Sequence, residues 1–267
     1  MTEEHAVQDM TAFLEEHGFT VERIPEDRNA RRPDVVVRHG DELYLVEQKS
    51  KGDDPSERAR EMEALQQTKI IDRAKPLRPR GVFSGILADA LEQIEAHPDA
   101  AIAFKIVWVT AWGVWRHANS VSLIKGLYGL RHVFDEDDHG GEMQDCYYLG
   151  FADFERFSEI DAVVIVDGES LRILANEFSP RYERFLQSQF AERFRQAVRD
   201  PRAHVASGNA YSLRGWDGDR RDVRAGLDEL AARLGVRRMD TMDMNEFHVV
   251  ANVDRFLDEH RGDDPIS

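Results

Sequence analysis

Apolar positions in residues 4–17 fall at helical spacing. Ala6, Val7, Met10, Phe13, Leu14 and His17 share one face, and Gly18 follows as a stop. This predicts an amphipathic helix. Residues 19–25 alternate apolar and polar, as a strand does. Two compact apolar runs come next, Val35-Val36-Val37 and Leu43-Tyr44-Leu45-Val46, with His39-Gly40-Asp41 between them. That pattern reads as a β-hairpin over about 33–50. Residues 51–55 read as a loop. Residues 56–73 read as a charged, mostly solvated helix anchored weakly by Met62, Leu65, Ile70 and Ile71. A Pro-rich stretch to residue 82 is expected to be irregular. Ser84 is expected to cap the next helix, whose stripe is Ile86, Leu87, Ala90, Leu91 and Ile94, ending near His97-Pro98. Ala101 to Ala111 is a buried strand by composition.

The second half predicts strands at 146–149, 162–166 and 171–175, and a mobile acidic loop at 135–145. Helices are expected at 180–199, 220–235 and 245–260, with loop at 200–219 and a frayed tail. The fold class is α/β, a mixed sheet flanked by helices with added C-terminal strands and helices. The chain divides into 1–178, with its core at about 3–117 and extra strands at 146–176, and a helical extension at 179–267. Whether that extension packs on the same domain is left open.

Composition narrows the function. The 267 residues carry a net charge of −16, which argues against a broad non-specific grip on nucleic acid but permits a local basic groove. The single cysteine, Cys146, excludes an internal disulfide and fits a reducing compartment. No apolar run is long enough to span a membrane, and Met1-Thr2-Glu3-Glu4-His5 lacks a signal core, so a cytoplasmic location with no membrane partner is expected. No phosphate-binding loop, dinucleotide fingerprint or nucleophile elbow is present.

The candidate chemistry lies on the hairpin. Asp34 opens its first strand, and Glu47 and Lys49, two residues apart, share one face of the second. Two carboxylates and an ammonium then converge at a sheet edge. Pro33-Asp34 followed by Glu47-Gln48-Lys49 resembles the motif of the PD-(D/E)xK nucleases, the restriction-endonuclease-like enzymes. The predicted order over about 3–117, helix, three strands, helix, strand, is also that family's core topology.

The resemblance implies a metal-dependent nuclease with Mg²⁺ (or Mn²⁺) held by Asp34, Glu47 and the main-chain carbonyl of Gln48. Lys49 would assist the attacking water. DNA is the implied substrate. An RNA-cleaving member and a non-catalytic nucleic-acid-binding or assembly module of the same fold are the alternatives. A homodimer or a partner protein is compatible with the acidic charge. Some relatives add a helix carboxylate. Glu3 and Glu16 are the candidates, against a reading as solvated helix residues, while the position used by junction-resolving relatives holds Val7. Gln93 stands where such nucleases carry a polar residue facing the site, or is an exposed helix glutamine. Arg28, Arg31, Arg32, Lys51, Lys75, Arg78 and Arg80 flank the motif and are candidates for phosphate contacts, against ordinary surface charge. Trp108, Trp112 and Trp115 read as core before base-stacking residues. His132, His139 and Cys146 match no zinc spacing.

Overall fold

The computed structural model describes residues 2–25, 31–67, 70–79, 81–138, 142–168 and 170–251. The first helix, α1 (Glu3–Glu16), buries Ala6, Val7, Met10 and Leu14, and Gly18 follows at φ +89°. Strands β1 (Thr20–Arg23), β2 (Val35–His39) and β3 (Glu42–Lys51) form an antiparallel meander. Gly40, at φ +57°, lets the β2–β3 turn close in two residues. After an insertion come α3 (Val82–Glu95) and β5 (Phe104–Ala111), the latter parallel to β3. The order helix, three strands, helix, strand is therefore present, interrupted by α2 (Pro55–Gln67) and β4 (Ile70–Pro76).

The sheet continues through β8 (Ala162–Asp167), β9 (Ser170–Ala175) and β10 (Val198–Arg199). Its seven strands run in the order β1-β2-β3-β5-β8-β9-β10, with mixed directions. Period-two side-chain alternation divides the core into two layers. Val36, Leu45, Val107 and Val109 meet Phe83, Leu87 and Ile94 of α3 on one face. Val35, Val37, Tyr44, Val46 and Ile106 meet Val7, Met10 and Leu14 of α1 on the other. A smaller sheet holds β6 (Arg131–Asp135), β7 (Gln144–Tyr147), β11 (Ala210–Ser212) and β12 (Met239–Thr241). Its core packs α9 (Val223–Leu234) through Leu227 and Leu230.

Several sequence expectations are corrected. The expected helix over 56–73 stops at Gln67, and Ile70–Pro76 is a strand although a Pro-rich loop was expected from residue 75. Its partner is β13 (Asn245–Ala251), so the helix expected at 245–260 is a strand over its described part. In both segments burial alternates residue by residue, the signature of a ribbon with one covered face. Ser84 does not cap α3, which begins two residues earlier; its Oγ donates to Asp153 at 2.7 Å. The helix expected over 180–199 breaks into α6 (Tyr182–Leu186) and α7 (Gln189–Arg193), because buried Ser188 recaps the chain by accepting from the Ala191 amide. Over its described residues, 179–251, the expected helical extension is a mixture of helices and strands. It also contains α8 (Pro201–Ala206), supplies the edge strand β10, and contributes β11, β12 and β13 to the two smaller sheets. Two further helices went unpredicted, α4 (Arg116–Tyr128) and the short α5 (Asp153–Arg156); α4 is buried on nearly every side and so lacks an amphipathic stripe.

Two helix C-caps offer a controlled test of packing. Gly129 ends α4 at φ +56° and Gly235 ends α9 at φ +68°. A Cβ on Gly129 would lie 2.2 Å from the Gly150 carbonyl oxygen, whereas one on Gly235 meets nothing within 4 Å. Gly235→Ala should cost about 1 kcal/mol, the left-handed backbone penalty alone. Gly129→Ala should cost about 2–4 kcal/mol, because overpacking adds to it. Urea denaturation of both variants reads the difference; equal losses would show that the α4 cap has room to move.

Candidate active site

The register of the hairpin builds the site. Val35 pairs with Val46, so one step further along the ladder Asp34 stands opposite Glu47. Opposite residues of an antiparallel pair project to the same face. That face is the one covered by α3, since Val36 and Leu45 point there too. The Asp34 amide donates to Glu47 Oε2 at 3.1 Å, and the Gln48 amide donates to Asp34 Oδ2 at 2.7 Å. Each carboxylate is thus tied to the backbone beside the other. Lys49 Nζ donates to Glu47 Oε1 at 2.7 Å and to Gln93 Oε1 of α3 at 2.6 Å. Gln93 is half-buried and faces the site, not bulk solvent.

The electrostatics follow from burial. Glu47 is 1% exposed, and desolvation with the adjacent Asp34 charge pushes its pKa up to about 8, against the pull of Lys49. Asp34 is also raised, first by desolvation and in part by the charge of Glu3. The two carboxyl groups are adjacent, and each acts on the other's titration. Burial of two adjacent acids raises both in this way.

The other expected residues divide. Glu3, exposed at the start of α1, is close enough for Asp34 to feel its charge. Glu16 is at the other end of that helix, about 20 Å further along its axis, and does not join the site. Gln48 contributes main chain only. Its side chain turns to the α1 face, where Nε2 donates to Ser50 at 3.1 Å and to Thr110 at 3.3 Å. Arg31 is paired with Glu92, both largely exposed. Arg32 lines a separate cleft of about 540 Å³ beside Arg23 and Arg38. Arg28 and Arg80 lie outside the described residues. Lys51 ends β3, half-buried, and its carbonyl accepts from the Trp112 amide at 3.0 Å.

Lys75 and Arg78 line a groove of about 1000 Å³ with Arg60, Arg73, Glu57 and Trp115. Neither Asp34, Glu47 nor Lys49 lines it. Sequence reasoning missed Arg60 and Arg73. The signal for Arg73 was its spacing of two from Lys75, which puts both on one face of β4. Lys75 also donates to Asn119 at 3.1 Å and lies 5.4 Å from the centre of the buried Trp115 ring. His132 is paired with Asp145 at 2.8 Å, and Cys146 is buried, with its thiol pushed up to about 12 by desolvation. His139 lies outside the described residues. Among the described residues no group of three His, Cys, Asp or Glu side chains is arranged to hold a metal, and no helix is long and apolar enough to cross a membrane.

No family model, curated protein or solved structure matches the chain.

The raised Glu47 makes stability depend on pH with a definite sign. The folded chain holds a proton that the unfolded chain, with Glu47 near its ordinary 4.5, has already lost. Its stabilising contribution is full below about 4.5 and is lost as the pH rises through about 8. Between about pH 5 and pH 9 the parent's melting temperature should therefore fall by several degrees relative to Glu47→Gln. A constant difference between the two proteins across that range would mean that Glu47 titrates normally.

Proposed function

We propose that the chain is a divalent-metal-dependent phosphodiesterase of nucleic acid, with DNA as the substrate implied by its resemblance to the PD-(D/E)xK nucleases. One observation carries the reading: Asp34, Glu47 and Lys49 meet at the end of a hairpin, with both acids raised by burial and Glu47 also by the charge of Asp34. The helix, three-strand, helix, strand order around them supports it.

The donor set fits a hard cation. Mg²⁺ takes oxygen ligands, keeps several waters, and is commonly held by one or two carboxylates with substrate phosphate completing its shell. Two carboxylates without a third side chain match that habit. Main-chain N–H and C=O of a strand residue face the same neighbour. Because the Gln48 amide reaches Asp34, its carbonyl lies along the same edge and suits a third ligand. A bound cation would lower the pKa of a water and neutralise charge building on the phosphate.

The chain's own groups do the rest. Asp34 and Glu47 would serve as anionic ligands once Glu47 gives up its proton. Lys49, held between Glu47 and Gln93, is placed to hold the attacking water or a phosphate oxygen. Gln93 fixes the direction of the ammonium.

The test is incubation of purified protein with single- and double-stranded DNA and RNA, with Mg²⁺, Mn²⁺ or EDTA. The parent should cut with metal and stop in EDTA. Asp34→Ala should lose cleavage, and Lys49→Ala should fall by at least ~10²-fold while still binding nucleic acid. Cleavage by both variants at the parent rate would place the activity elsewhere. A parent that binds and never cuts would be a non-catalytic binding module.

A further inference from the structure

A second cavity, of about 500 Å³, opens on the opposite face of the same sheet end. Its walls are Trp108, Trp112, Phe13, Met10 and Leu171. Phe13 meets Trp108 edge-on at 5.9 Å, and Trp108 is only 3% exposed, so the indole forms the floor of the cavity. At its rim stand two exposed charged side chains, Asp9 of α1 and Arg116 at the start of α4, with the hydroxyls of Thr110 and Ser170. Flat aromatic walls with a few hydrogen-bonding groups at the mouth suit a planar heterocycle better than an aliphatic chain.

The cavity is tied to the carboxylate site by covalent and hydrogen-bonded links. Gln48, between Glu47 and Lys49, pairs in register with Trp108. Its side chain donates to Thr110, which lines the cavity. Trp112 is fastened to the end of β3: its amide donates to the Lys51 carbonyl, and its ring packs so closely on Gly52 that a Cβ there would come within 2.3 Å. Asp53 then accepts from the amides of Val114 and Trp115 at 2.7 and 3.1 Å, pinning the loop that carries Trp112. On α1, Glu3 acts on Asp34 while Ala6 and Asp9, one and two turns on, line the cavity. The location is the carboxyl end of the parallel strands β5 and β8, where open α/β sheets take their ligands.

We propose that this cavity receives one unpaired base of the nucleic-acid strand engaged at the Asp34–Glu47 pair, stacked on the half-buried Trp112 over a floor formed by Trp108. Arg116 meets the attached phosphate, and Asp9 accepts from an exocyclic amino group. The inference rests on the phosphodiesterase reading and gives it a substrate class: single-stranded, or locally unpaired, nucleic acid.

Binding in EDTA separates this inference from the cleavage reading. The probes are deoxyadenosine, its 5′-monophosphate, and a short single strand with or without one abasic residue. Tryptophan fluorescence and calorimetry report binding. The parent should bind both small probes, and the intact strand at least about tenfold more tightly than the strand in which the captured base is missing. Trp112→Ala should lose about tenfold or more for all base-containing probes. Because that variant disturbs packing on Gly52, exposed Arg116→Gln serves as a second: it should weaken the monophosphate and leave the nucleoside nearly unchanged. The inference is overturned if neither small probe binds, if hexanoate binds in their place, or if a folded Trp112→Ala binds and cuts like the parent. If Trp112→Ala loses base binding while Asp34→Ala cuts like the parent, the cavity stands and the catalytic assignment falls.

Discussion

Everything at the candidate site depends on the register of one hairpin. Val35 against Val46 fixes Asp34 against Glu47, and the two-residue turn at Gly40-Asp41 fixes that pairing. A slip of one residue would turn Glu47 and Lys49 to the α1 face and bring Gln48 to the α3 face in their place. The core resists such a slip on both sides. Val36 and Leu45 are packed under α3, and Val35, Val37, Tyr44 and Val46 under α1. The apolar residues of β2 and β3 are therefore what holds two acids together, and the energy for that comes from burial on both faces.

Holding them together has an electrostatic consequence. Glu47 is removed from water beside a second carboxyl and in contact with a single ammonium, and its proton affinity rises. Lys49 alone does not offset both acids, and it is shared with Gln93. In the proposed reading, a small cation completes this network by displacing the Glu47 proton. The aromatic cavity on the reverse face uses the same strand end, through Gln48 and Trp108. In the proposed reading, base binding on one face and hydrolysis on the other share one strand end.

The site was legible in the sequence because its parts are local. Asp34 and Glu47 are thirteen positions apart, joined by a turn with its own signal, and Lys49 is two further on. The α3 stripe and the apolar run of β5 were readable for the same reason. What was not readable was set by distant partners. Phe247 and Val250 are spaced for a helix and Phe247 and Val249 for a strand; pairing with β4, far upstream, decides for the strand. The basic groove joins α2 to β4, so Arg60 could not be placed beside Arg73 and Lys75 from spacing along α2 alone. The buried helix α4 failed for the opposite reason, since polar Asn119, Ser120, Ser122 and Lys125 lie buried among its apolar residues. Glu16 was a candidate as a carboxylate of the first helix but stands at the wrong end of α1, a fact of helix length that periodicity does not carry.

The central claim is that Asp34 and Glu47 form a carboxyl pair that exchanges a bound proton for a divalent cation. Its most direct test is a carboxyl-carbon NMR titration of Glu47 with and without Mg²⁺. Without metal, Glu47 should titrate near 8. With saturating Mg²⁺ the midpoint should drop by at least about one unit, because the cation competes with the proton for the same oxygens. A midpoint near the ordinary glutamate value without metal, or one that Mg²⁺ leaves unmoved, would contradict the account.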